Sequence, residues 1–465
     1  MTDLAFASAL EQARMVREKE ISPVDLVELY ARRIEELNPR LNAYVTLCLD
    51  RALDEAREAE ALVGGEDLPP FHGVPISIKD LNDTAGVRTT HGSAAFADRI
   101  PDEDDEVVER IRAAGFIMLG KTNTPEFGSV PFTEPEVFGP TRNPWDIERT
   151  PGGSSGGAAA ALAAGLCPIS QGSDGGGSIR IPSSCCGLFG IKPTRGRVSS
   201  WRRPTNLLSQ SGPIARAVED AAALLDVISG HVLGDTYWAP PPERAFVDEA
   251  GRPPGRLRVA WTTATPIQID VAPGNRKAIE ETASLLAELG HDVTEEAPPW
   301  SEEIMYAFFD VWCVGAAMHD PMPSFEDLEP INQALVTRGR GMTATDLGNA
   351  LRRLHAGALP LLQFFERYDA LLTPVVAIPP PRIGEFKNPD EPLAEFIRSG
   401  TFTPYTAVWN STGSTAASVP LLWDEHGLPV GVQIVARPGE EATLIRLASQ
   451  LEEARPWADR RPPVS

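Results

Sequence analysis

The sequence predicts an α/β protein whose mixed, largely parallel central sheet is covered by helices. Two observations carry this. Short β-branched runs alternate with longer amphipathic stretches along much of the chain, as in strand–helix–strand units. Glycines stop the helical stretches just before the next apolar run, at Gly115 and Gly290.

Taken in order, residues 3–20 read as an amphipathic charged helix rather than a leader. Ser22-Pro23-Val24-Asp25 opens a second helix, with a hydroxyl to cap it, proline at the first position and an acid in the first turn. In 74–79, Val74, Ile76 and Ile78 alternate with Pro75, Ser77 and Lys79, the period of a strand. Residues 106–114 form a helix that Gly115 ends, and 116–119 form the next strand. The pattern recurs as a strand at 257–261, a helix at 276–289 and a strand starting at Val293. Residues 370–373 are a strand, and 417–422 and 430–435 are two strands joined by an Asp-Glu-His-Gly turn at 424–427. Proline-rich stretches at 240–242 and 253–254 bracket a surface seam, and a third, 379–381, follows the strand at 370–373. Residues 300–366 read as helical, with Trp300, Tyr306, Phe308, Phe309 and Trp312 close together. We expect them to be an insertion, or lid, over a single domain spanning 1–465.

At 465 residues and 42% hydrophobic, the chain can bury a large core. Its net charge of -23 disfavours nucleic acid and anionic membrane as partners, since both reward clustered Lys and Arg. The most apolar run, 158–169, is shorter than the roughly 20 residues a bilayer span takes. Five cysteines, with Cys185 and Cys186 adjacent, make neither a disulfide framework nor a metal-ligand spacing. The expectation is a cytoplasmic protein with no cofactor and no metal.

The chemistry lies between Lys79 and Arg180. Gly175, Gly176 and Gly177 precede Ser178, and glycine lets backbone N–H groups approach and converge on one point. The N–H groups of Gly175, Gly176, Gly177 and Ser178 are therefore candidate oxyanion donors around a Ser178 nucleophile. A second loop, Gly152-Gly153-Ser154-Ser155-Gly156-Gly157, supplies Ser154 as a proton relay. Ser155 either caps the alanine-rich helix that follows or supports Ser178 by a hydrogen bond. Lys79 ends the strand 74–79 on the face of Ser77, so it points inward, where desolvation favours the neutral amine that a base requires. Asp174 and Arg180 flank the nucleophile loop and are read as holding its shape. Lysine, two serines and a glycine cradle suffice for acyl transfer without histidine.

These residues resemble the amidase signature family. The likeness runs through Gly152–Ser183 and extends to Lys79-Asp80, Gly120-Lys121-Thr122-Asn123, Arg142-Asn143-Pro144-Trp145, 187–194 and 402–420. It implies the amidase signature fold and hydrolysis of amide C–N bonds through an acyl-enzyme. It also implies a Ser178–Ser154–Lys79 triad in which Gly153–Ser154 is a cis peptide bond. Relatives sharing Thr-Glu-Pro at 133–135 and the segment 138–145 include hydrolases of nylon-type cyclic amides, aryl amides and carbamates. The implied partner is a small to medium, uncharged amide or carbamate (a urethane among them), and pairing into a homodimer stays open. Candidate pocket residues are Phe127, Gly128, Ser129, Val130 and Pro131, with the aromatic stretch 300–312 and Phe402, Tyr405 and Trp409 adding apolar surface.

Two rival readings fit the sequence less well. An α/β-hydrolase-type esterase would use Ser154 in Gly152-Gly153-Ser154-Ser155-Gly156, but it needs a strand just before the serine and a downstream acid and histidine. Residues 143–151 carry two prolines and no strand pattern, and His426 lies in the 424–427 turn. The glutaminase subunit of a tRNA-dependent amidotransferase would place an acid near 207–210 to meet an ammonium group, where this chain has Leu-Leu-Ser-Gln. Residues 197–205 likewise lack that subunit's tyrosine-glycine. Neither glycine loop ends in the Gly-Lys-Ser/Thr of a nucleotide-binding loop.

Overall fold

The computed structural model describes residues 4–202, 207–319 and 324–465. Residues 203–205 of the 197–205 segment, residues 320–323 of the helical stretch and Asp3 at the start of the first helix lie outside them. Among the described residues one sheet holds eleven strands: β1 Tyr44–Leu47, β2 Pro75–Lys79, β3 Ile117–Thr122, β4 Ser170–Asp174, β5 Phe189–Lys192, β6 Gln210–Ala215, β7 Arg258–Trp261, β8 Asp292–Glu295, β9 Ala370–Pro374, β10 Thr415–Trp423 and β11 Pro429–Ala436. Their order is β1-β3-β2-β4-β6-β5-β10-β11-β9-β7-β8.

The sheet is mixed, with its parallel parts on two flanks, β3-β2-β4 and β9-β7-β8; the strands between pair antiparallel. Parallel neighbours arise where a helix crosses over: Glu106–Ala113 joins β2 to β3, and Pro273–Glu288 joins β7 to β8. The β10–β11 hairpin closes at the 424–427 turn, where the Asp424 N–H donates to the Leu428 carbonyl at 2.8 Å.

Local chemistry explains the helix ends. Ser22 and Asp25 form a reciprocal capping box on the helix Pro23–Leu41. The helix Glu106–Ala113 stops where Gly115 takes φ 86, a left-handed conformation that costs glycine little. Near the N-terminus the regular helix is Ala9–Arg17, capped by Ser8.

Both faces of β2 are buried. Ile76 and Ile78 join a core with Val107, Ile111 and Leu225. On the opposite face, the Ser77 hydroxyl meets the Ser170 hydroxyl at 2.5 Å, and Lys79 points the same way. The helix Gly156–Ala163, buried along its whole length, covers that face. The stretch 300–366 forms the helices Glu302–Ala317, Pro330–Gly341 and Ala344–Phe364. No helix among the described residues is long and apolar enough to cross a membrane.

Candidate active site

The strands β2 and β4 are parallel neighbours, so their carboxyl ends open onto the same crevice. Lys79 ends β2 and is fully buried. Its Nζ donates to Ser154 Oγ at 2.7 Å and to Ser173 Oγ at 3.1 Å. Burial pushes this amine down to about 7, while the negative charge of Asp174 pulls it partly back. The Lys79 backbone N–H donates to Gln171 Oε1, and Gln171 Nε2 donates to Asn82 Oδ1.

Two further lysines, Lys121 and Lys192, are equally buried, and desolvation lowers them to about 8 and about 7. Position separates the three. Lys121 holds the carbonyl of Asn82 and the hydroxyls of Thr84 and Thr89, and Lys192 holds the Pro193 carbonyl. Lys79 alone among them donates to serine hydroxyls.

Ser154 follows a cis peptide bond from Gly153. A β-carbon on Gly153 would lie 2.7–2.9 Å from the backbone of Pro131 and Phe132, so only glycine fits. The partner of Ser154 is an amine rather than an imidazole, and no strand lies between Thr122 and Ser154 to lead into it. His426 stands exposed in its hairpin turn. These facts remove the basis of the esterase reading.

Ser155 occupies the N-cap position of the helix Gly156–Ala163 but makes no side-chain capping bond. Its hydroxyl instead donates to the Ser173 carbonyl at 3.2 Å and accepts the Ser173 N–H at 3.3 Å. Its own N–H donates to the Ser178 carbonyl at 3.2 Å, tying the two glycine-rich loops together.

The glycine-rich loop at 175–178 is built around Asp174. This carboxylate accepts the N–H groups of Gly177 and Ile179 and a two-pronged ion pair from Arg180, all fully buried. Burial alone would raise Asp174, but the Arg180 guanidinium, with Lys192 beyond it, holds its carboxyl well below the usual carboxylate range. Arg180 also donates to the Thr406 carbonyl, Gln433 Oε1 and Asn410 Oδ1, which satisfies its fork.

Of the expected oxyanion donors, Gly177 is not free to serve. The Gly177 N–H is committed to Asp174 Oδ1 at 2.8 Å. The N–H groups of Gly175, Gly176 and Ser178 donate to no acceptor among the described residues. Ser178 Oγ has no hydrogen-bond partner among them either, and no hydrogen bond joins it to Ser154.

Ser154, Ser173, Gly175 and Ser178 line one cavity of about 490 Å³. Of the candidate pocket residues, Phe127, Gly128 and Ser129 form part of its wall, whereas Val130 turns into the core and Pro131 backs Gly153. Trp312, stacked on Phe308 at 5.3 Å, lines the cavity with Val311, Leu207 and Leu208. Phe402, Tyr405 and Trp409 are fully buried core residues, Cys313 is buried, and Tyr306 is 59% exposed. None of these five lines the cavity. The lining also includes the polar residues Asn82, Asp83, His91 and Asp105; Asp83 is paired with Arg99 through two 2.6 Å bonds.

Sequence reasoning missed Ser173, Gln171 and these polar lining residues. The available signal was position, since 80–83 leave the carboxyl end of a strand already assigned.

A family model described as Amidase matches residues 25–445. A Mycobacterium tuberculosis protein provisionally named amidase AmiB2 is 44% identical over 474 residues, covering 100% of this chain and 99% of its own. The solved structure of a 6-aminohexanoate cyclic dimer hydrolase superposes with a TM-score of 0.93 at 35% identity, covering 99% of each chain. That of a bacterial aryl acylamidase of the amidase signature enzymes gives 0.86 at 27% identity, covering 97% of each.

Proposed function

The chain belongs to the amidase family and is an amide C–N hydrolase, and from that premise we propose a substrate class and a set of residue roles. Its substrates are small to medium, uncharged amides or carbamates: nylon-type cyclic oligoamides, aryl amides and urethanes. Ser178 is the nucleophile, Ser154 the relay and Lys79 the base. One observation carries the reading: a fully buried lysine amine lies 2.7 Å from a serine hydroxyl that shares a cavity with a second, unpartnered serine hydroxyl.

Ser178 Oγ attacks the carbonyl carbon. Its proton passes to Ser154 as the Ser154 proton passes to Lys79. The developing oxyanion meets the N–H groups of Gly175, Gly176 and Ser178, each worth roughly 3 kcal/mol when well placed. Lys79, now an ammonium, returns the proton through Ser154 to the amine nitrogen as the C–N bond breaks. Water then takes the place of the amine and releases the acid by the same relay. Gly177 serves a different end, fixing the loop on Asp174.

The apolar lining of Trp312, Val311, Leu207 and Leu208 suits methylene or aryl groups, and the polar lining residues Asn82 and His91 suit the amide's polar edge. Five free thiols favour a reducing, cytoplasmic setting.

A hydrolysis panel tests the proposal: 6-aminohexanoate cyclic dimer, an anilide, a linear aliphatic amide, a carbamate and glutamine. Turnover of uncharged amides that disappears in Ser178→Ala is expected. Preference for glutamine, or turnover surviving Ser178→Ala, would overturn it.

A further inference from the structure

The turn that walls the cavity beside Ser154 is held from behind by two buried side chains that the triad leaves without a role. Phe127 takes φ 54 and Gly128 φ 69, so this is not a conformation a phenylalanine adopts unaided. Gly128 is pressed onto the relay: a β-carbon there would lie 3.0 Å from Ser154 Oγ and 2.8 Å from Leu81. Behind the turn sit Glu126 and Asn332, each 1% exposed.

Glu126 Oε1 accepts the Ser93 hydroxyl at 2.5 Å. Its Oε2 accepts the Glu329 N–H and Asn332 Nδ2, each at 2.8 Å. Asn332 Oδ1 accepts the Ser129 hydroxyl at 2.5 Å, and its amide also reaches the Glu126 carbonyl at 3.3 Å. The two residues thus grip both ends of the turn. Asn332 belongs to the helix Pro330–Gly341, which packs through Gly339 against the carbonyl of Cys313, next to the cavity residue Trp312.

We propose that Glu126 and Asn332 are positioning residues for the relay: they lock the 126–129 turn against Ser154 and so keep its hydroxyl on the Lys79 amine. The inference rests on the triad reading above. Releasing the turn gives Ser154 Oγ room to rotate away from Nζ, and a misplacement of about 1 Å in a catalytic group costs about 100-fold in rate.

The bonding pattern dictates how a test discriminates. Burial raises the Glu126 carboxyl to about 7. As an acid it donates from one oxygen to Ser93 while the other still accepts both N–H groups. Glutamine reproduces that pattern, whereas alanine erases it. A charge role would slow both variants alike, and a merely space-filling role would be met by the similar-sized Glu126→Met, which should instead react as slowly as Glu126→Ala.

The experiment follows the reaction of the full chain with a fluorophosphonate probe, located by peptide mapping. Ser178 Oγ forms the bond to phosphorus, fluoride leaves with the P–F electron pair, and the hydroxyl proton passes through Ser154 to Lys79. We expect Glu126→Ala and Asn332→Ala to label Ser178 about 10- to 100-fold more slowly. The midpoint of the pH profile should stay near 7, where Lys79 sets it, and Glu126→Gln should stay within about threefold of the unsubstituted rate. Folded Glu126→Ala reacting at the original rate, or Glu126→Gln as slow as Glu126→Ala, would overturn the proposal. If Glu126→Ala does not fold, Ser129→Ala removes only the outer arm, and an unchanged rate there overturns it equally. Failure of the triad reading looks different: the unsubstituted protein would then carry no label on Ser178, and the inference would fall with it.

Discussion

Replacing Lys79 by arginine keeps a buried cation but removes the proton acceptor, and its effect follows from burial alone. With its amine lowered from 10.5 to about 7, Lys79 is neutral in roughly half the molecules at neutral pH. At the ordinary value only about 3 in 10,000 would be neutral, so the desolvated site enriches the base roughly 1,600-fold, equivalent to about 4 kcal/mol. Arginine cannot be deprotonated in a protein. Lys79→Arg should therefore lower kcat/KM by at least ~1,000-fold at every accessible pH. The assay is kcat/KM against pH with the best amide of the panel. In the unsubstituted enzyme it should rise about tenfold per pH unit below about 7 and level off above, since the neutral amine is the active form. A profile flat through that region, or an arginine variant within tenfold of the original, would refute the assignment.

The same burial should show in stability. Between about 7 and 10.5 the unfolded lysine holds a proton that the folded one has released, so stability rises with pH across that window. Lys79→Met should be inactive yet more resistant to denaturant at neutral pH, by roughly 1–3 kcal/mol, with the gain shrinking toward alkaline pH. Arg180→Leu leaves Asp174 charged, buried and unpaired, and should cost roughly 3–5 kcal/mol in urea unfolding. Gly128→Ala introduces a methyl group against Ser154 and Leu81 at a positive φ. It should reduce turnover at least about tenfold while melting within a few degrees of the original, as calorimetry would show. Trp312→Ala widens the cavity on its apolar side and should raise KM for anilides more than for short aliphatic amides in the same panel.

How much of this the sequence disclosed depended on whether a signal was local. The strands around Ile76 and Val259 and the helix opened by Ser22 were legible because alternation, capping and glycine stops act within a few residues. The loops holding Ser154 and Ser178 were legible only together with Lys79, because glycine beside serine alone also suits an ordinary turn. Strand β4 was not. Its Ser-Gln-Gly-Ser-Asp run has no apolar alternation, and its side chains serve Lys79, Asn82 and Arg180 instead of a core. The pocket list failed at Val130 because two positive φ angles at Phe127 and Gly128 redirect the chain before it. Phe402, Tyr405 and Trp409 failed for a different reason. Aromatic identity is the same whether a ring faces a void or lies among neighbours, and only three-dimensional packing separates the cases.

The polar character of β4 also bears on how the protein comes together. A segment of this composition gains nothing by collapsing early, since it has no greasy surface to hide and every one of its groups prefers solvent until a matching donor or acceptor arrives. Those counterparts come from residue 180 just after the strand, from residues 79 and 82, 92 and 89 positions before their partner Gln171, and from residue 410, 236 positions beyond Asp174. The central strand therefore becomes favourable only when the distant pieces have already assembled around it, so a half-folded molecule is a catalytically silent one.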